Sequence, residues 1–170
     1  TRDIAQARVD GANIVVVLPH WGTKNRAQTP DTVHAMAERM AQAGADVILG
    51  AHPNVVQGVE RISTVRSDGL TYETVVCYSL GCLLTDARDS ENTAGMAVRL
   101  EMTYDPAVRR VSPGALEVTP LYIARQREDS GIVYRVVNAQ NERALEKLTL
   151  SEQAAAAQAA ERVKNATQEE

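Results

Sequence analysis

Two apolar runs, each closed by a histidine and set about thirty residues apart, constrain this chain more than any other feature. Ile14-Val15-Val16-Val17 leads into Leu18-Pro19-His20-Trp21-Gly22, and Val47-Ile48-Leu49 leads into Gly50-Ala51-His52-Pro53-Asn54. Each run reads as a strand. Between them, Val33, Met36, Ala37, Met40 and Ala41 recur at helical spacing, so residues 30–43 are expected to form a helix. Strand, helix and strand in that order make a β-α-β unit with a right-handed crossover. The C-terminal ends of its parallel strands share one edge of the sheet, where ligand sites of open α/β sheets gather. His20 and His52 are therefore expected to face one crevice.

The helix carries its own boundary signals. Thr29 is a candidate N-cap, Pro30 suits the first helical position, and Asp31 places negative charge where the helix dipole favours it. Gly44 closes the helix and Asp46 opens the next strand. His34 falls beside the apolar stripe, as a boundary residue without chemistry. Further along, Thr74-Val75-Val76-Cys77 reads as a third strand of the same sheet, over residues 73–79.

The second half is rich in strands and ends in helix. Residues 96–104 alternate, with Val98, Leu100, Met102 and Tyr104 on one face and Arg99, Glu101 and Thr103 on the other. Asp105-Pro106 marks a turn, residues 109–111 a short strand, Ser112-Pro113-Gly114 a second turn, and residues 116–123 and 132–137 two more strands. Pro120 marks an edge or a bulge. Asn138 or Asn141 can cap a helix over residues 142–148, and Thr149-Leu150-Ser151-Glu152 fits a capping box for another. The alanine tract at 154–160 reads as a surface helix, and residues 165–170 are expected to fray.

Composition excludes several classes. A chain of 170 residues with 44% hydrophobic content can bury one core, and a formal charge of −4 argues against a nucleic-acid partner, which would call for a basic patch. No apolar run approaches the ~20 residues that span a bilayer. Cys77 and Cys82 do not have redox or zinc spacing and read as buried or half-buried thiols, with Cys82 in the loop near the crevice as an alternative metal ligand.

The stretch from Ala12 to Asp86 resembles the C-terminal half of poly-γ-glutamate capsule biosynthesis proteins of the CapA type. Three separated motifs carry the resemblance: His20-Trp21-Gly22, Ala43 through Pro53, and Tyr78-Ser79-Leu80-Gly81. It implies a calcineurin-like metallophosphoesterase fold: an α/β mixed sheet with a parallel β-α-β core, flanking antiparallel strands and C-terminal helices, forming part of a sandwich. Residues 1–137 would be the C-terminal part of that domain and residues 138–170 a helical extension.

The departures from the family pattern are specific. The second loop of the family usually reads Gly-x-His-Pro-His, and Asn54 stands at the last position. Lys24-Asn25 replaces a Glu-Tyr pair, and Cys82-Leu83 follows Gly81 where the family has Asn-Phe. A carboxamide is a weaker ligand than imidazole for zinc, manganese or iron. The remaining metal ligands of the family come from N-terminal segments, and none precedes Ile14 in a chain that begins at Thr1. A fragment of a longer protein is therefore expected, with divalent metal bound weakly or not at all and no hydrolysis by this chain alone.

For the parent protein, the resemblance implies metal ions acting as Lewis acids and water activators, with a loop histidine protonating the leaving group. His20 and His52 would be metal ligands and catalytic residues, while Asn54, Trp21 and Lys24 would face an anionic polymer or phosphoester. Trp21 alternatively packs under its loop, and Lys24 and Arg26 alternatively carry solvated surface charge. The expected partners are that substrate and the N-terminal half of the same protein, at the cell envelope or outside the cell. The alternative to an enzyme is a degenerate scaffold subunit of a polymer-synthesis complex.

Overall fold

The computed structural model describes residues 1–87 and 89–168. Arg88, expected as part of a polar loop, and Glu169 and Glu170, expected to fray, lie outside them, whereas residues 165–168, also expected to fray, continue the last helix. Four strands form the first sheet: β1 (Val16–Val17), β2 (Val47–Leu49), β3 (Val59–Val65) and β4 (Thr71–Cys77), in the order β1-β2-β4-β3. β1, β2 and β4 run parallel, and β3 pairs antiparallel with β4. The expected parallel unit is present, with α2 (Asp31–Gln42) as its crossover. β3 was not foreseen, because Val59-Glu60-Arg61-Ile62-Ser63-Thr64-Val65 has a weak apolar pattern and is buried only at Thr64. α1 (Arg2–Val9) was likewise not foreseen; it buries Ile4 and packs the half-buried Ala7 against the same core.

α2 begins one residue later than its sequence signals imply. Pro30 itself is the N-cap, and its carbonyl accepts the Val33 and His34 amides at 2.8 and 3.2 Å. The helix has no side-chain cap, so Thr29 does not fill that role. Val33, Ala37 and Ala41 are buried as the stripe requires, whereas Met36 is turned toward solvent. Gly44 follows the C-cap at φ 114°, a backbone region costly for other residues.

The second sheet is an antiparallel meander of β5 (Ala94–Asp105), β6 (Arg110–Glu128) and β7 (Gly131–Asn138), with β6 in the centre. β6 corrects the sequence reading. Ser112-Pro113-Gly114 is not a turn but an irregularity inside one 19-residue strand, where the register slips between Leu100 and Met102 of the partner. Pro and Gly there signal a bulge as readily as a turn. Pro120 also lies on this central strand, paired with Met96 of β5 and just beyond the last residue paired with β7.

Two cores result. Ile4 and Ala7 of α1, Val33 and Ala37 of α2, Val15, Ile48 and Val76 share one, on one face of the first sheet. The other joins Cys77 and Val56 to Met96, Tyr122 and Val137 of the second sheet and to α4 (Leu150–Gln168). The alanine tract is thus more than a surface helix: Ala156 and Ala159 are buried with Val163, their small side chains letting the helix lie close on β5 and β6. Asn141 caps the short α3 (Glu142–Leu145) and Thr149 and Glu152 form the expected capping box.

Candidate functional site

Three loops meet at the C-terminal edge of the parallel strands. The first follows β1, the second follows β2, and the third follows β4. His20 closes an isolated parallel bridge with Ala51, continuing the β1–β2 pairing past the strand ends. This sets the His20 and His52 rings 4.6 Å apart between centroids and tilted by 56°. The two imidazoles therefore share one crevice.

The chain bends sharply to achieve this. His52 sits at φ 102° and Asn54 at φ 63°, either side of Pro53. Asparagine tolerates the left-handed region better than most residues, which suits Asn54 to its turn. His52 lies beyond that region, and such strain persists only where the surroundings hold it. Gly50 shows what does the holding. A Cβ there would stand 2.0 Å from the Tyr78 carbonyl oxygen and 2.4 Å from Trp21 Nε1, because the indole donates to that oxygen at 2.8 Å directly over the glycine.

Cross-links tie the loops together. The Asn25 amide donates to the Pro53 carbonyl at 2.8 Å, and Gln57 Nε2 donates to the Arg26 carbonyl at 2.7 Å. The Gln57 amide reaches the Ser79 carbonyl at 3.1 Å, so this one buried residue touches the first and third loops. The Cys82 thiol lies 3.3 Å from the Asn54 carbonyl. Burial raises its pKa, and the Lys24 charge opposes that.

The sequence-named residues divide by position. His20 and His52 are brought together, and Asn54 lies on the same loop as His52. Lys24 and Arg26 are exposed on the first loop. Trp21 is only 5% exposed and stacks on Tyr78 with ring centroids 5.9 Å apart, an arrangement that matches packing beneath the loop and leaves little ring for a ligand. Gln57 was missed, since nothing in a lone glutamine marks it from sequence. His34 is half-buried at the helix boundary, as its position implies; its ring lies 4.5 Å from that of Tyr78, whose hydroxyl donates to Glu60 at 2.5 Å. These groups border a separate cleft of about 700 Å³ between α2, the start of β3 and the end of α4.

A divalent ion at a structural or catalytic zinc-type site takes three or four protein ligands. Among the described residues, no group of three or more His, Cys, Asp or Glu is arranged to hold one.

The sequence pattern of the family described as bacterial capsule synthesis protein PGA_cap matches residues 1–87, which include all three loops. The chain belongs to that family. It is 31% identical over 112 residues to the PGA biosynthesis protein CapA of Bacillus subtilis (strain 168), an alignment covering 66% of this chain and 26% of the relative. It is 36% identical over 75 residues to the capsule biosynthesis protein CapA of Bacillus anthracis, covering 44% of this chain and 16% of that relative. The PGA_cap chain thus spans about a quarter or less of the curated relatives it matches. The family match ends at residue 87, so the antiparallel meander and α4 lie outside it.

Proposed function

We propose that this chain supplies one wall of the working crevice of a protein that takes part in synthesis or processing of an anionic cell-envelope polymer, poly-γ-glutamate. The carrying observation is the placement of His20 and His52, 4.6 Å apart between ring centroids on one sheet edge, within the family-matched residues. The name of the Bacillus subtilis relative supports the polymer, and that of the Bacillus anthracis relative supports a role in capsule biosynthesis.

The residues of this chain account for part of such chemistry. Imidazole can donate a proton to a leaving oxygen or accept one from water. Lys24 and Arg26, exposed on the first loop, attract carboxylate or phosphate toward the two rings. Gln57 and the Trp21–Tyr78 hydrogen bond hold the loops in register. Manganese, zinc or iron at the crevice would need donors from outside this chain.

The test uses the full-length protein, with turnover of a generic phosphodiester and of poly-γ-glutamate as readouts. His20→Ala and His52→Ala should each lower turnover by at least about 100-fold, the usual weight of a positioned proton-transfer group. Full activity in either variant would eliminate the crevice. The second reading is a binding or scaffold subunit, favoured by Asn54, which suits its turn conformation and offers no imidazole. An inactive full-length protein that still retains the polymer would support it.

A further inference from the structure

We propose that the cleft at the opposite end of the first sheet is a second binding site, for an oxyanion of the carboxylate or phosphate class, held by Arg66, Arg109 and Arg110. The cleft, about 420 Å³, is bordered by the ends of α1 and α2 and by the β3–β4 and β5–β6 connections. Asp46 opens β2 on this side and Gly50 closes it at the crevice, so about 13 Å of strand separates the two sites at about 3.3 Å per residue.

The charges here do not balance. Arg8, Arg66 and Arg109 line the cleft with Asp46 and Asp68. Arg110 adds a further cation beside Tyr72, its guanidinium 5.3 Å from the ring on which Arg66 also lies, at 4.1 Å. Both carboxylates are already committed. Asp46 pairs with Arg8 and Arg66 and accepts the Val15 amide at 2.8 Å. Asp68 accepts the Leu70 amide at 2.9 Å and the Tyr72 hydroxyl at 2.5 Å.

The arginines divide into used and available. Arg8 spends its guanidinium on the Gly44, Ala12 and Asn13 carbonyls and on Asp46, meeting the carbonyl ends of α1 and α2. Arg66 donates to the Ala45 carbonyl at 2.9 Å, yet its Nε is buried without a partner. Burial lowers its pKa, with Asp46 opposing that and Arg8 adding to it. Arg110 donates to the Thr71 carbonyl at 2.6 Å, and its Nε is also unpaired. Arg109 is exposed and makes no hydrogen bond or ion pair among the described residues. It is held at the rim by a turn in which it takes φ 50°.

Like-charged guanidinium groups repel, and their planar forks match the paired oxygens of carboxylate and phosphate. An oxyanion seated among Arg66, Arg109 and Arg110 supplies the missing counter-charge. If the reading of the crevice above holds, a polymer bearing a carboxylate on every repeat could be gripped at both ends of the sheet.

The experiment is a titration of the chain, followed by NMR of backbone amides and arginine Nε–H groups, with inorganic phosphate, glutarate and a γ-linked glutamate pentamer in turn. Signals of Arg66, Arg109 and Arg110 should shift saturably. Arg109→Gln and Arg110→Gln should each weaken binding about tenfold, and His20→Ala should leave the phosphate and glutarate shifts at these arginines unchanged. Tighter binding of the pentamer than of glutarate identifies a polymer grip, and binding of phosphate alone identifies a free-phosphate site. Absence of saturable shifts with all three probes overturns the proposal. So does wild-type affinity in a folded Arg109→Gln/Arg110→Gln double variant, with shifts confined to Lys24 and Arg26. That last result would leave the crevice standing, and loss of the crevice in the activity assay would leave this site standing.

Discussion

His52 holds a backbone angle of φ 102° that disfavours any side chain, and strain of this kind costs on the order of 1–3 kcal/mol. Glycine carries no such penalty. His52→Gly should therefore be more stable than His52→Ala by about 1 kcal/mol in urea denaturation, although both lose the imidazole; equal stabilities would show that the loop relaxes freely. Gly50 makes the complementary case. Gly50→Ala would drive a methyl group into the Tyr78 carbonyl and the Trp21 indole, and a loss of about 3 kcal/mol is expected by the same measurement. The two thiols should also separate. Burial pushes Cys77 up to about 12, whereas Cys82 is partly exposed. Alkylation of the native protein at pH 8 should modify Cys82 and spare Cys77. A folded-state pKa above the unfolded value of 9.0 means the Cys77 contribution to stability is complete below pH 9 and falls as pH rises toward 12.

At the scale of elements, the capping box of α4 is the clearest local device. The Thr149 amide and hydroxyl both donate to Glu152 at 2.9 Å, and the Glu152 amide returns to the threonine oxygen at 3.3 Å. Burial raises the Glu152 pKa, but those hydrogen bonds outweigh it and hold the carboxyl below its usual value of 4.5. Its contribution is thus present above pH 4.5 and lost as pH falls through the lowered value. Thr149→Ala should cost about 1 kcal/mol at neutral pH and less in acid, read from paired thermal melts. This box was legible in sequence because capping depends on residues three apart. The same holds for α2, whose stripe at Val33, Ala37 and Ala41 needs only local periodicity. β3 was not legible, because its polar residues are tolerated on an outer strand and its partner β4 supplies the order. β6 was misread at Pro113 and Gly114 because a bulge and a turn use the same residues. The pairing of His20 with His52 followed from topology, whereas Gln57 and the arginine cleft depend on contacts between residues far apart in sequence.

The molecule as a whole has two cores that meet across the first sheet, and the only tryptophan belongs to one of them. Trp21 packs with α1, α2 and the parallel strands, while the meander and α4 have no indole. Its emission is therefore a local thermometer, blind to one half of the protein. Far-UV circular dichroism, by contrast, sums over both halves. The third loop joins them: the Met96 amide donates to the Leu80 carbonyl at 2.9 Å, just two residues beyond Tyr78, whose own carbonyl receives the indole. Melting curves followed by the two signals should coincide, as for a single cooperative unit. An earlier transition in fluorescence would mean that the half bearing the crevice opens while the meander stays folded. Because the indole hydrogen bond crosses Gly50, a ligand that shifts the second loop should also move the emission maximum, making the crevice self-reporting without any label.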